Sequence, residues 1–183
     1  MTRRKETPSQ TAGPYVHIGC APSAAGLAGP YGDLGAGIAS DDLPNSITLD
    51  IRILDGEAAL VTDALVEIWQ ACPDRGKDPA GEVRCWGRAF TAFDSGQAIF
   101  QTSKPRSIAG QAPHFLVWIV ARGINLGLVT RIYFPDELEA NATDPVLKLA
   151  SMRAATLIAD KSNEGYRHTI NLQGGDETVF FDV

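Results

Sequence analysis

From Ser46 to Leu54 the chain reads SITLDIRIL, with Ile47, Leu49, Ile51 and Ile53 separated by polar residues. A period of two puts alternate side chains on opposite faces of an extended backbone, so this segment buries an apolar face only as a β-strand. The pattern recurs. Asp55-Gly56 is a turn signal, and ALVEIWQA follows with β-branched and aromatic residues. RAFTAF, Asp94-Ser95-Gly96 and QAIFQT read as a hairpin. HFLVWIVA, punctuated by Arg122-Gly123, then GLVTRIYF, YRHTINLQ and ETVFFDV complete the strand pattern. One stretch differs: DPVLKLASMRAATLIADK has a capping residue in Asp144, a first-turn proline in Pro145, and Leu147, Ala150, Ala154, Leu157 and Ile158 on one helical face. Many short strands with turn signals and one short helix predict a mainly β protein, a β-sandwich.

A chain of 183 residues fits one domain and buries a core without metal or disulfide support. Residues 1–45 are rich in Gly, Pro, Ser and Ala with little periodicity, and read as an extended N-terminal arm laid over the sandwich of residues 46–183. The net charge of −6, with basic residues clustered only at Arg3, Arg4 and Lys5, argues against nucleic-acid binding. No apolar run approaches a membrane span or a secretory signal, which predicts a soluble cytoplasmic protein. Cys20, Cys72 and Cys85 are odd in number and form no CxxC pair, so neither a disulfide framework nor a zinc site is expected.

Self-contained catalysis finds little support. There is no GxSxG, and the glycines of GDLGAGIAS neither follow an apolar strand nor open a helix. Asp136 and Glu137 lie beside a turn and read as a solvated pair. Trp69 and Trp118 sit in strand patterns and read as core. His17 and His168 read as structural or surface residues. Arg131 stands inside the apolar strand LVTRIYF, where a charge needs a partner or a wet pocket. His114, at the mouth of the strand PHFLVWIV, is the remaining candidate for chemistry.

TPSQTAGPYVHIG, ALVEIWQA, FTAFDSG, APHFLVWIVARGIN, TRIYFPDE and GGDETVFFDV occur in this order from Thr7 to Val183. Together they resemble the intradiol aromatic-ring dioxygenases. The resemblance implies an immunoglobulin-like or transthyretin-like β-sandwich. It also implies a non-haem Fe(III), held in the family's catalytic chains by two tyrosines and two histidines. The histidines form an His-x-His on one strand, and residues two apart share a face. Here His114 takes the first of those positions, and Leu116, which has no donor atom, takes the second. The tyrosines of catalytic chains fall between the VEIWQA-like strand and the His-x-His strand, and this sequence has no tyrosine between Tyr31 and Tyr133.

The resemblance is closest to the family's alpha chains, and it implies a chain that binds no iron. It implies a homologous catalytic beta subunit as partner, carrying Fe(III), in a higher alpha–beta oligomer. It further implies a shared pocket in which protocatechuate is cleaved with O2 to 3-carboxy-cis,cis-muconate. Thr11, Gly13, Pro14, Tyr15 and Arg131 would be this chain's share of the pocket wall, and no catalytic residue would be its own. The alternative is a stand-alone sandwich that binds a ligand or serves a structural role without catalysis.

Overall fold

The computed structural model describes residues 10–13, 15–20, 22, 26–27, 38, 46–71 and 85–182. Pro14 and Cys72 lie outside them, as do the side chains of His17 and Ile18. The elements are α1 (Val16–Cys20), β1 (Ser46–Leu54), β2 (Leu65–Gln70), β3 (Trp86–Phe90), β4 (Gln97–Ser103), β5 (His114–Val120) and β6 (Leu128–Tyr133). They continue with α2 (Leu138–Thr143), α3 (Pro145–Ala150), a 3-10 segment (Ser151–Leu157), β7 (Asp160–Lys161) and β8 (Gly165–Asn171). Among the described residues two four-stranded sheets form, in the orders β4-β1-β8-β7 and β3-β2-β5-β6.

The alternation in β1 does what its period requires. Leu49, Ile51 and Ile53 are fully buried between the sheets, where they meet Val66, Ile68, Phe100, Phe115, Val117 and Ile119. Burial of such side chains stabilises a fold by about 1.5–3 kcal/mol each. β1 lies antiparallel to β4 and parallel to β8, with Thr48 opposite Gly165. That register depends on a missing side chain: a Cβ at Gly165, whose φ is +155°, would fall 2.1 Å from the Thr48 carbonyl oxygen.

RAFTAF and QAIFQT are not a hairpin. β3 pairs with β2 and β4 with β1, so the chain changes sheets at residues 91–96. Thr91 makes the corner. Its hydroxyl accepts from Ala64 N and donates to Val61 O, both at 2.8 Å, which ties the end of β3 back to the start of β2.

The helical stretch begins as its cap predicts. Asp144 accepts hydrogen bonds from Val146 N and Leu147 N, and Pro145 takes the first turn. The helix then breaks up. Asp144 is extended at ψ 125°, as the residue before a proline tends to be, and so separates α2 from α3; Ser151 at φ 52° ends α3 before the 3-10 segment. Leu147 and Leu157 still pack together with Tyr133 and Ala112, as a second cluster beneath the helical segment. Residues 177–182 lie outside both ladders. They are fastened to β6 by Phe181 N–H to Val129 O at 2.8 Å and by Thr130 Oγ1 to Val179 O at 2.7 Å.

Asp136 and Glu137 form a clasp. Lys104 Nζ lies 3.0 Å from Asp136 and 2.6 Å from Glu137, and Tyr166 donates to Asp136 at 2.8 Å. Cys85 is disulfide-bonded, a bond the odd cysteine count did not suggest, and Cys20 is free. Among the described residues no helix is long and apolar enough to cross a membrane.

Candidate functional site

The sheet β3-β2-β5-β6 turns Val66, Ile68, Phe115, Val117 and Ile119 inward. The intervening residues make up its outer face: Glu67 and Trp69 on β2, Trp86 and Arg88 on β3, His114, Leu116 and Trp118 on β5, Val129, Arg131 and Tyr133 on β6. This face is unusually apolar, and both Trp69 and Trp118 belong to it rather than to the core. Trp69 is 48% exposed and Leu116 37%. HFLVWIVA is thus apolar on both faces, which is why its pattern did not reveal which tryptophan positions face out.

The arm reaches the same face. Thr11 Oγ1 accepts from Gly123 N at 2.8 Å and donates to Ala121 O at 3.3 Å, which pins the arm to the turn after β5. Val16 N–H bonds to Gly13 O and Gly19 N–H to Tyr15 O, so the segment expected to be extended winds into α1 just after the anchor. Gly13 and Tyr15 are exposed, Tyr15 at 78%. A groove of about 570 Å³ lies between α1 and the sheet, lined by Val16, Leu65, Trp69, Leu116, Trp118 and Val129 among others. At one side of it Arg88 forks onto Glu67, donates to Cys20 O at 2.6 Å and stacks on Trp86 at 5.0 Å.

At the β5–β6 edge, His114 faces Tyr133 and Leu116 faces Arg131 across the ladder. His114 Nδ1 is 2.8 Å from Ala112 O, an acceptor only, so that nitrogen carries the proton. Burial, joined by the nearby Arg131 charge, lowers the imidazole's pKa against the pull of the Ala112 carbonyl. Arg131 Nη1 donates to Gln111 Oε1 at 2.8 Å and to Tyr133 OH at 3.1 Å. Tyr133 in turn donates to Asp144 at 3.3 Å, and Asp144 accepts from Ala112 N at 2.8 Å. Burial pushes the Tyr133 hydroxyl up to about 12, against the lowering effect of Arg131. Gln111 and Tyr133 were not among the residues expected to matter, and Asp144 was expected only as a helix cap. Tyr133 was within reach of sequence reasoning, since it stands two residues beyond Arg131 on the same strand face.

These residues do not fit a ferric ion. Leu116 has no donor, the phenol of Tyr133 stays protonated, and the cation facing this position is Arg131. Among the described residues no group of three or more His, Cys, Asp and Glu side chains could hold a metal. Thr11 sits at the turn after β5 with Gly13 and Tyr15 following it on the arm, while Arg131 lies on the same sheet's edge strand.

The two-sheet architecture is that of the intradiol dioxygenases. Similar solved structures include the dioxygenase domain of a dioxygenase–carbohydrate-binding fusion from Streptomyces sp. SirexAA-E, with TM-score 0.55, 22% identity, and 91% of this chain and 96% of that one covered. Another is an intradiol ring-cleavage dioxygenase from Tetranychus urticae, with TM-score 0.56, 16% identity and 90% and 92% covered. At such identities the likeness concerns the fold. Sequence relatives are nearer. A protocatechuate 3,4-dioxygenase alpha chain of Pseudomonas putida is 42% identical over 193 aligned residues, 97% of this chain and 96% of the relative. One of Burkholderia cepacia is 36% identical over the full length of both. No protein-family model matches the chain. The chain belongs to the family of protocatechuate 3,4-dioxygenase alpha chains.

Proposed function

We propose that this chain is the non-iron-binding alpha subunit of a protocatechuate 3,4-dioxygenase. It pairs with a homologous catalytic beta subunit that carries Fe(III), and it closes part of that subunit's pocket, where protocatechuate and O2 react. The observation that carries this reading is the outer face of β3-β2-β5-β6. It keeps the fold's strand for metal ligands but presents Leu116 opposite Arg131 there, beside an apolar surface and an anchored arm. The ferric centre supplies ring cleavage from the partner. This chain supplies apolar wall, the backbone of Thr11 to Tyr15 and the charge of Arg131. Gly13 and Pro14 let a backbone approach a flat aromatic ring closely. A guanidinium matches a carboxylate or a phenolate.

The cytoplasm is the proposed compartment. The disulfide at Cys85 is unusual for that setting and stands against it.

Co-expression with a homologous chain bearing two tyrosines and an His-x-His tests the proposal. An equimolar complex is expected, coloured by tyrosinate-to-iron charge transfer and active on protocatechuate, with all iron assigned to the partner. A colourless monomer or homo-oligomer that ignores the partner would favour a stand-alone module instead.

A further inference from the structure

Arg52, Arg88, Arg122, Arg153 and Arg167 each have a carboxylate within ion-pair reach. Arg131 has none among the described residues. Its two polar partners are the amide of Gln111 and the phenol of Tyr133, both neutral and both on Nη1. The phenol's proton is engaged by Asp144, whose oxygens also accept from the backbone of Ala112, Val146 and Leu147. The acid in this network, Asp144, is therefore one hydroxyl removed and already committed. The guanidinium rests on the Phe181 ring, 5.9 Å from its centroid.

This arrangement divides the guanidinium. Nη1 carries two N–H groups, and its two acceptors account for both. Among the described residues nothing meets the N–H groups of Nη2 and Nε, and that side of the fork has the spacing of a carboxylate. The charge is thus held in place without being neutralised. An ordinary surface arginine is either free to move or paired with an acid; this one is oriented by two neutral groups from two elements, the loop before β5 and β6 itself.

We propose that Gln111 and Tyr133 are positioning residues that hold Arg131 as a preformed receptor for a carboxylate. The inference rests on the proposed function, because the carboxylate comes either from the aromatic substrate in the shared pocket or from an acidic side chain of the catalytic partner. Gln111 has to be neutral in this scheme. A carboxylate at its position would satisfy Arg131 from within the chain.

The test uses the co-purified complex and the variants Gln111→Glu, Gln111→Asn and Tyr133→Phe. Three quantities are measured: kcat and KM for protocatechuate, inhibition constants for 4-hydroxybenzoate and for phenol, and the affinity between the two chains. If the substrate supplies the carboxylate, Gln111→Glu raises KM and the 4-hydroxybenzoate constant by about tenfold or more, the size of one lost charge-assisted hydrogen bond. The phenol constant and kcat then stay within about twofold, and Gln111→Asn recovers part of the loss. If the partner supplies it, Gln111→Glu weakens chain association by a similar factor and leaves both inhibition constants alone. Tyr133→Phe, which keeps the buried ring, shifts the same quantity in the same direction and serves if Gln111→Glu fails to fold. A Gln111→Glu complex that matches the wild type in KM, inhibition and association overturns the inference while the proposed function stands. A wild-type chain that forms no active complex overturns both.

Discussion

Leu116 lies directly opposite Arg131 across the β5–β6 ladder. The position at which the resemblance places a second metal-binding imidazole is therefore doubly unsuited to a cation: it lacks a donor and it faces a guanidinium. Restoring the donor alone should not restore a site. A Leu116→His variant of the full chain is expected to bind no stoichiometric Fe(III), because the neighbouring phenol of Tyr133, at about 12, does not ionise near neutrality. Metal analysis after gel filtration, together with the visible spectrum, checks this. A tightly held ferric ion with a tyrosinate band would show that a single residue separates this face from a working centre.

Thr11 joins the arm to the sandwich through two hydrogen bonds at the turn after β5, one donated by Gly123 N–H to its hydroxyl oxygen and one from its hydroxyl to Ala121 O. Thr11→Val keeps the shape and removes both. Net, such bonds stabilise by about 0.5–1.5 kcal/mol each, too little to unfold the domain but enough to loosen a peripheral segment. The expected outcome is an unchanged melting temperature within about 2 °C and faster proteolysis near the arm. In the complex, turnover should fall. Resistance of the arm equal to wild type would mean that Thr11 is not its anchor.

Much of this was legible in the sequence, and the exceptions have physical causes. The period-two run of β1 pointed to Leu49, Ile51 and Ile53 as core, although Ile47 of the same face is only half-buried and Asp50 of the other face is buried too, and Asp144-Pro145 announced the start of a helix. The two-sheet corner at Thr91 was not legible, because a hairpin turn and a turn between sheets use the same local residues; only the distant bonds to Val61 and Ala64 tell them apart. Residues 177–182 have strand composition yet pair with no ladder, since their bonds go one or two at a time to β6, to Asn171 and to Thr156. Arg131 stood out as a charge in an apolar strand. Its partner Gln111 lies 20 residues away, in a loop with no periodicity to report it. Trp69 and Trp118 misled because an apolar outer face looks, in sequence, like a second core face.

Asp144 is fully buried and accepts four hydrogen bonds, from Val146 N, Leu147 N, Ala112 N and Tyr133 OH. It joins the start of α3, the loop before β5 and the end of β6. Asp144→Ala leaves buried backbone donors without acceptors, at about 1–3 kcal/mol each, and removes a helix cap worth about 1 kcal/mol. A loss of about 4 kcal/mol, or roughly 10 °C in melting temperature for a domain of this size, is expected. Asp144→Asn, which retains one acceptor oxygen, should lose less. Thermal melts of both variants check this, and a loss under about 1 kcal/mol for Asp144→Ala would show that the cap and the loop are held by other contacts.

His168 is the buried base of the other sheet. It projects from β8 into the interior with Nε2 unpartnered, and burial lowers it from the ordinary 6.5 to about 4, opposed by a bond to the Ile158 backbone. The sign follows from which state binds the proton. Below pH 6.5 the unfolded chain takes up a proton that the folded chain refuses until about pH 4, so stability falls as the pH drops through that window and is flat above it. The full shift corresponds to about 3 kcal/mol. His114 is lowered as well and acts in the same direction. Asp136 acts further down. Burial raises it, but hydrogen bonds from Lys104 and Tyr166 more than offset this and bring it to about 2, so its share is lost only below the ordinary carboxylate value of 3.8. Melting temperatures between pH 7 and pH 4.5 therefore report the histidines. His168→Gln, neutral at every pH, should lower stability at pH 7 yet flatten most of the decline toward pH 4.5. A variant whose melting temperature falls with pH as steeply as the wild type would show that the acid sensitivity arises elsewhere.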